Sequence, residues 1–215
     1  MSSKDNHLIL YSYWRSSAAW RVRIALHLKK IPFEYCAVNL LKGEQKTEEY
    51  KSSVHPHGLV PAMKIGPSRV LTQSLAIIDY LETKYPNNTP SLLPNDPLLR
   101  AHVLELVYTI ACDTHPLQNL RVLNTYAEDA RGARAKNVIN AGLQAFECLL
   151  THSELYCVGD VVTLADVVMV PQFYNAVRWD VDVDQFPKTK AIYERLGQLD
   201  AFRAAHPDQQ PDKPQ

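Results

Sequence analysis

The sequence predicts an α/β domain followed by an all-α domain. Three observations lead there. Short apolar runs alternate with helical patterns until about residue 86, as a small α/β sandwich requires. A breaker-rich stretch follows, Tyr85-Pro86-Asn87-Asn88-Thr89-Pro90-Ser91. From Asp96 onward only helical patterns recur. The boundaries read as 1–86 for the α/β domain, 87–94 for the linker and 95–215 for the helical domain. A hydrophobic content of 46% suffices for a core of this size.

In chain order, Leu8, Leu10 and Tyr13 with their neighbours suit a strand over 8–13, and Trp20, Ile24 and Leu28 recur on one face of a helix over 16–29. Strands over 33–38, 60–65 and 69–72 and a helix over 73–84 complete the first domain. The second reads as helices over 96–124, 128–151, 163–177 and 187–197, with a last turn near 199–203. The tail from Pro207 to Gln215 holds three prolines and no large apolar residue, so it is expected to be loose.

Charge and cysteine usage narrow the function classes. Lys+Arg and Asp+Glu both number 23, so no net field draws nucleic acid or an acidic membrane surface. The start, Met1-Ser2-Ser3-Lys4-Asp5-Asn6, is polar and lacks a signal-peptide apolar region, and no window is long and apolar enough to span a membrane. Cys36, Cys112, Cys148 and Cys157 are far apart and form no metal-finger spacing. A reducing, cytoplasmic location is the expectation.

Several local constellations could carry chemistry. Ser16 and Ser17 precede the first apolar helix, where serine is a favoured N-cap. Hydroxyls, free backbone N–H groups and a positive helix end meet there, which suits an anion and equally an ordinary cap. Pro61 opens a strand after Val60 and removes one ladder donor, either as an edge device or as a backbone feature beside a ligand. Thr72 is a natural N-cap for the helix that follows, with Gln73 and Ser74 in its first turn, a place to cap or to hold a carboxylate. His55 and His57 flank Pro56 without a third metal ligand nearby, so no metal is expected. His115 stands beside Pro116, with Gln118 and Asn119 close behind. Thr163-Leu164-Ala165-Asp166 fits a capping box with Asp in place of Glu. Arg178 could present a cation to an acidic substrate or form a surface ion pair. The phosphate-loop, dinucleotide, zinc-protease and esterase signatures are missing.

Taken together, Tyr11-Ser12-Tyr13 with Arg15-Ser16-Ser17, Trp20 to Leu26, Gln73 to Ile78, Leu92-Leu93-Pro94, Pro116 to Leu120, Tyr156 to Asp160 and Gln210-Pro211-Asp212 resemble the zeta class of cytosolic glutathione transferases over nearly the whole chain. The resemblance implies a thioredoxin-like N-terminal domain, a helical C-terminal domain and a homodimer. It implies glutathione as cofactor, with Ser16 or Ser17 hydrogen-bonding its sulfur and Ala18 beside them. Val60, ahead of a cis Pro61, would pair with the cysteinyl backbone. Gln73 and Ser74 would hold the γ-glutamyl end and Gln45 the glycyl end. His115 and Asn119 would close the site, and Arg178 would meet the substrate carboxylate.

The implied reaction is glutathione-dependent cis–trans isomerisation of maleylacetoacetate to fumarylacetoacetate in tyrosine and phenylalanine breakdown, by reversible thiolate addition. A transferase of other small acids such as α-haloacids, or a non-catalytic glutathione-binding module, are the alternatives. A free thiol near pKa 8.5 is only a few per cent ionised at neutral pH. A hydroxyl hydrogen bond to the charged sulfur gives roughly 1.5–3 kcal/mol and a helix N-terminus about 0.3–1 more. Those contributions reach the roughly 2.7 kcal/mol that a two-unit depression needs. Two departures from the class stand out: Ala18 replaces the cysteine of its Ser-Ser-Cys signature, and His115 aligns with a position usually held by glutamine.

Overall fold

The computed structural model describes residues 7–150 and 155–214. The polar start Met1–Asn6, the end of the helix expected over 128–151 and the last residue of the tail, Gln215, lie outside the described residues. The chain divides into two compact units, Met1–Thr89 with Asp200–Gln215, and Pro90–Leu199.

In the first unit a four-stranded sheet has the order β2-β1-β3-β4, from β1 (Leu8–Ser12), β2 (Glu34–Ala37), β3 (Ala62–Ile65) and β4 (Arg69–Thr72). β1 pairs with β2 in parallel, and β3 runs antiparallel to both β1 and β4. The helices are α1 (Ser17–Leu28), the short α2 (Glu48–Ser53), which the sequence pattern did not reveal, and α3 (Ser74–Lys84). Trp20 and Ile24 of α1 are buried with Leu8, Leu10 and Met63 of the sheet and Ile77, Ile78 and Leu81 of α3. Burial of each such side chain contributes about 1.5–3 kcal/mol.

The tail differs from the expected loose segment. Helix α9 (Asp200–Ala205) packs on α1, and a single turn over Pro207–Gln209 leads to a buried Gln210. Gln210 Nε2 donates to the carbonyls of Ala204 and His206 at 3.0 and 2.8 Å. Residues 200–214 therefore belong with the α/β unit rather than the helical domain in which the sequence reading put them. Composition misled here because, after Phe202, Ala205 and Pro207 are buried, polar side chains fix the rest of the segment.

The second unit holds α4 (Pro97–Tyr108), α5 (Leu120–Leu123), α6 (Glu128–Leu149), α7 (Leu164–Arg178) and α8 (Pro187–Leu196). The single helix expected over 96–124 is broken into four segments. Asp96 caps α4 through Leu99 N–H at 2.8 Å. A wider turn then occupies Thr109–Thr114, where Thr114 Oγ1 donates to Thr109 O at 2.7 Å, and a tight turn follows over His115–Gln118. Pro116 explains the break, since it lacks an N–H and its ring crowds the preceding turn. A Cβ at Gly142 would lie 2.1 Å from Thr114 Oγ1, so α6 approaches this segment as only glycine permits. The capping box is present at α7: the buried Asp166 carboxylate accepts Thr163 N–H at 2.8 Å, Thr163 Oγ1–H at 2.9 Å and Cys157 N–H at 2.9 Å. Burial pushes the Asp166 carboxyl pKa up, against these hydrogen bonds.

Candidate active site

Strand register brings the first-unit candidates to one end of the sheet. Tyr11 of β1 lies opposite Ala62 of β3, Ala62 lies opposite Thr72 of β4, and Ser12 lies beside Ala37 of β2. Four segments therefore leave or enter the sheet at the same end. These are Tyr13–Ser17 after β1, the chain toward Gln45 after β2, Val60-Pro61 before β3, and Gln73-Ser74 after β4. Tyr13, Val38, Tyr50 and Val60 pack into one apolar cluster there, with Tyr11, Trp14, Leu40 and Val54 against it. Tyr50 Oη donates to Leu59 O at 2.9 Å, which fixes the approach to Val60.

Of the two serines, Ser16 is the N-cap of α1 and Ser17 is its first residue, with Ala18 next. Ser16 Oγ accepts Ala19 N–H at 3.3 Å, which leaves the hydroxyl proton free to donate. Ser17 is buried. The Val60–Pro61 bond is cis, and the backbone N–H and C=O of Val60 make no hydrogen bond among the described residues. Thr72 is not the cap of α3, because it is committed to pairing with Ala62. Gln73 holds that position at φ 70°, a left-handed conformation costing a non-glycine residue about 1–3 kcal/mol. Ser74 follows, buried, as the first residue of the helix. Gln45 is also buried: its Nε2 lies 3.5 Å from Leu40 O and its Oε1 has no partner among the described residues.

These segments thus offer a donor hydroxyl at the start of a 12-residue helix, an unpaired extended backbone, a second helix start, and the buried amide of Gln45. An anionic sulfur, a peptide backbone and terminal carboxylates are the groups such a set can hold. A thiol-bearing peptide fits these residues.

The remaining candidates lie in the second unit. His115 is half-buried with its Nδ1 3.5 Å from Gln118 Nε2. Asn119 caps α5, its Oδ1 accepting Arg121 N–H at 3.0 Å. Arg178 is exposed at the end of α7, its guanidinium 5.0 Å above the Trp179 ring. His55 Nδ1 accepts His57 N–H at 3.3 Å, and among the described residues no group of three or more metal-ligating side chains converges.

Sequence reasoning missed a polar cluster beneath the Tyr13–Ser17 turn. Arg23 is fully buried in α1 and donates to Tyr13 O at 3.3 Å, Trp14 O at 2.9 Å, Ser12 Oγ at 3.1 Å and Ala205 O at 3.1 Å. Asp212 of the tail accepts Trp14 N–H at 2.9 Å and Tyr35 Oη–H at 2.7 Å. Burial lowers the Arg23 pKa to about 10, so the guanidinium stays charged at neutral pH, and burial raises that of Tyr35. An arginine among the apolar residues of α1 was the signal for half of this cluster. Asp212, nearly two hundred residues away in sequence, stood out only within the Gln210-Pro211-Asp212 motif of the resemblance, with no sign of what it touches.

Comparisons with known proteins identify the family of the fold. The family model for the N-terminal domain of glutathione S-transferases matches residues 10–89. The chain is 46% identical to the mouse (Mus musculus) maleylacetoacetate isomerase over 209 residues, covering 96% of this chain and 95% of that one. Its fold matches a bacterial zeta-class maleyl pyruvate isomerase with TM-score 0.90 at 42% identity, covering 96% of this chain and 100% of the other. It also matches maleylacetoacetate isomerase from Anaeromyxobacter dehalogenans with TM-score 0.87 at 40% identity, covering 97% and 94%. That structure holds dicarboxyethyl glutathione and citrate in its active site.

Proposed function

The chain belongs to the zeta-class glutathione transferases, and from that premise we propose that it is a glutathione-dependent isomerase converting maleylacetoacetate to fumarylacetoacetate. Glutathione, when bound, supplies a thiolate that adds reversibly to the cis double bond and so permits rotation about it. The carrying observation is the Ser16 hydroxyl, which accepts from Ala19 N–H at the start of α1 and keeps its proton to donate to sulfur. Charge on that sulfur is favoured by this donor and by the positive end of the helix.

Val60 offers an N–H and a C=O to a peptide backbone, the start of α3 at Gln73 and Ser74 suits the γ-glutamyl carboxylate, and Gln45 suits the glycyl end. Ser17 and Ala18 border the sulfur site in the first turn of α1. Ala18 removes the thiol of the class signature and leaves both hydroxyls, so glutathione ionisation is retained. On family resemblance alone, we assign His115 and Asn119 to glutathione and Arg178 to the carboxylate of the substrate. The same resemblance supports a homodimer in the cytoplasm, acting in tyrosine and phenylalanine breakdown. Among the described residues, no helix is long and apolar enough to cross a membrane.

The decisive experiment follows maleylacetoacetate, or its analogue maleylacetone, by ultraviolet absorbance with purified protein, with and without glutathione. Strictly glutathione-dependent loss is expected. No turnover by protein that still binds glutathione would sink the isomerase reading and favour a transferase of α-haloacids or a binding module. Faster turnover of maleylpyruvate would point instead to the substrate named for the bacterial neighbour.

A further inference from the structure

The turn that carries Ser16 is short, and its own backbone bonding is sparse. Ser16 N–H donates to Tyr13 O at 2.9 Å, closing the turn between β1 and α1. Ser16 C=O accepts Trp20 N–H at 2.8 Å, and two charged side chains hold the residues that precede it. Trp14 is gripped on both of its backbone polar groups: its N–H by Asp212 at 2.9 Å and its C=O by Arg23 at 2.9 Å. The Tyr13 carbonyl that accepts Ser16 N–H also accepts Arg23 Nη1–H at 3.3 Å. Arg23 is thus one shared carbonyl away from the serine backbone, and Asp212 one residue further.

We propose that Arg23 and Asp212 form a clasp that positions the Ser16 hydroxyl, with the tail segment 200–214 acting as a working part of the thiolate site. The proposal rests on the reading of Ser16 as the thiolate stabiliser. Neither side chain is placed on substrate or sulfur, so both are positioning residues. The chemistry of the clasp suits that task. A guanidinium spreads its donors over four fixed acceptors and holds them in one plane. A carboxylate that accepts from a backbone N–H and a phenol at once makes two charge-assisted bonds, about twice as strong as neutral ones. Neither of the two peptide planes that flank Trp14 can rotate without breaking one of these bonds. A thiolate donor gains from such rigidity, because a hydroxyl misplaced by an ångström loses most of its hydrogen bond.

Alternatively, the cluster only holds α9 and the tail to the α/β unit. The two roles separate experimentally. Asp212→Ala removes the grip on Trp14 N–H, and Asp212→Asn keeps one acceptor and removes the charge, so at least one is expected to fold. In the full chain, three quantities are compared with the parent. They are amide hydrogen exchange of the Tyr13–Ser17 peptide, the pH titration of the bound glutathione thiolate by ultraviolet absorbance, and the split between kcat and the KM for glutathione. The expected result for Asp212→Ala is faster exchange at Tyr13–Ser17, a thiolate pKa raised by about one unit and kcat lowered about tenfold at neutral pH, with KM changed far less. Asp212→Asn should fall between it and the parent. A lower melting temperature with thiolate pKa and kcat unchanged overturns the clasp and leaves a tail anchor only. A parent protein that binds no glutathione overturns the functional reading, and this assignment with it.

Discussion

At the N-terminus of α1 the Ser16 oxygen accepts Ala19 N–H at 3.3 Å, so the residue serves as helix cap and as donor at once. Ser16→Ala removes both roles, and the two losses separate. The cap is worth about 1 kcal/mol of stability. The hydrogen bond to a charged sulfur is worth roughly 1.5–3 kcal/mol, so kcat should fall roughly ten- to hundredfold. Circular dichroism should show the fold retained while a glutathione-dependent assay records that fall. Full activity in Ser16→Ala, with the loss appearing in Ser17→Ala, would transfer the role to Ser17. At Gln73 the backbone is a left-handed turn at φ 70°, which no composition rule anticipates in a residue other than glycine or asparagine. The sequence pattern put the α3 cap one residue too early for that reason.

Among the elements, periodicity was a good guide wherever one face is apolar. β1, α1, α3, α6 and α7 fall within a residue or two of their expected bounds because alternation and helical spacing report burial directly. The site segments of the first unit were legible as caps and breakers, since serine and proline have local effects. Polar anchoring was not legible. Beside the buried Phe202 and Ala205, α9 and the tail are tied to the α/β unit by Arg23 and Asp212, and no periodicity marks such bonds. The same limit applies to the 109–118 segment, whose wider turn lies against Gly142 of α6. Gly142→Ala puts a Cβ where Thr114 Oγ1 stands and should cost about 1–3 kcal/mol by overpacking. Thermal unfolding would measure it, and the double variant with Thr114→Ala should recover part of the loss. An unchanged melting temperature for Gly142→Ala would show that α6 moves freely away.

Over the whole molecule, protonation has a readable sign. His27, His55 and His206 all have pKa values lowered, in each case chiefly by burial. Neighbouring Arg23 adds to the effect at His27, His57 adds to it at His55, and Asp208 opposes it at His206. The folded chain therefore keeps these rings neutral at a pH where the unfolded chain, titrating near about 6.5, has taken up protons. Since the unfolded state binds more protons there, stability rises with pH through that window and is lost as pH drops through it. Melting temperatures from about pH 8 down to about pH 5 should decline across the histidine range. A flat profile would show that these rings titrate alike in both states.

The discontinuity of the first unit also sets an order in time. Its segments Met1–Thr89 and Asp200–Gln215 are separated by the whole of Pro90–Leu199, and Trp14 and Asp212 stand 198 residues apart. Closing so long a loop is entropically costly, whereas helix-to-helix contacts inside Pro90–Leu199 are nearer in sequence and quicker to make. During refolding, the amides of α6 and α7 should gain protection before those of Tyr13–Ser17, as pulsed hydrogen exchange would record; the reverse order would refute the sequence of events. A refolding chain would then acquire its secondary structure first and its power to ionise a thiol last.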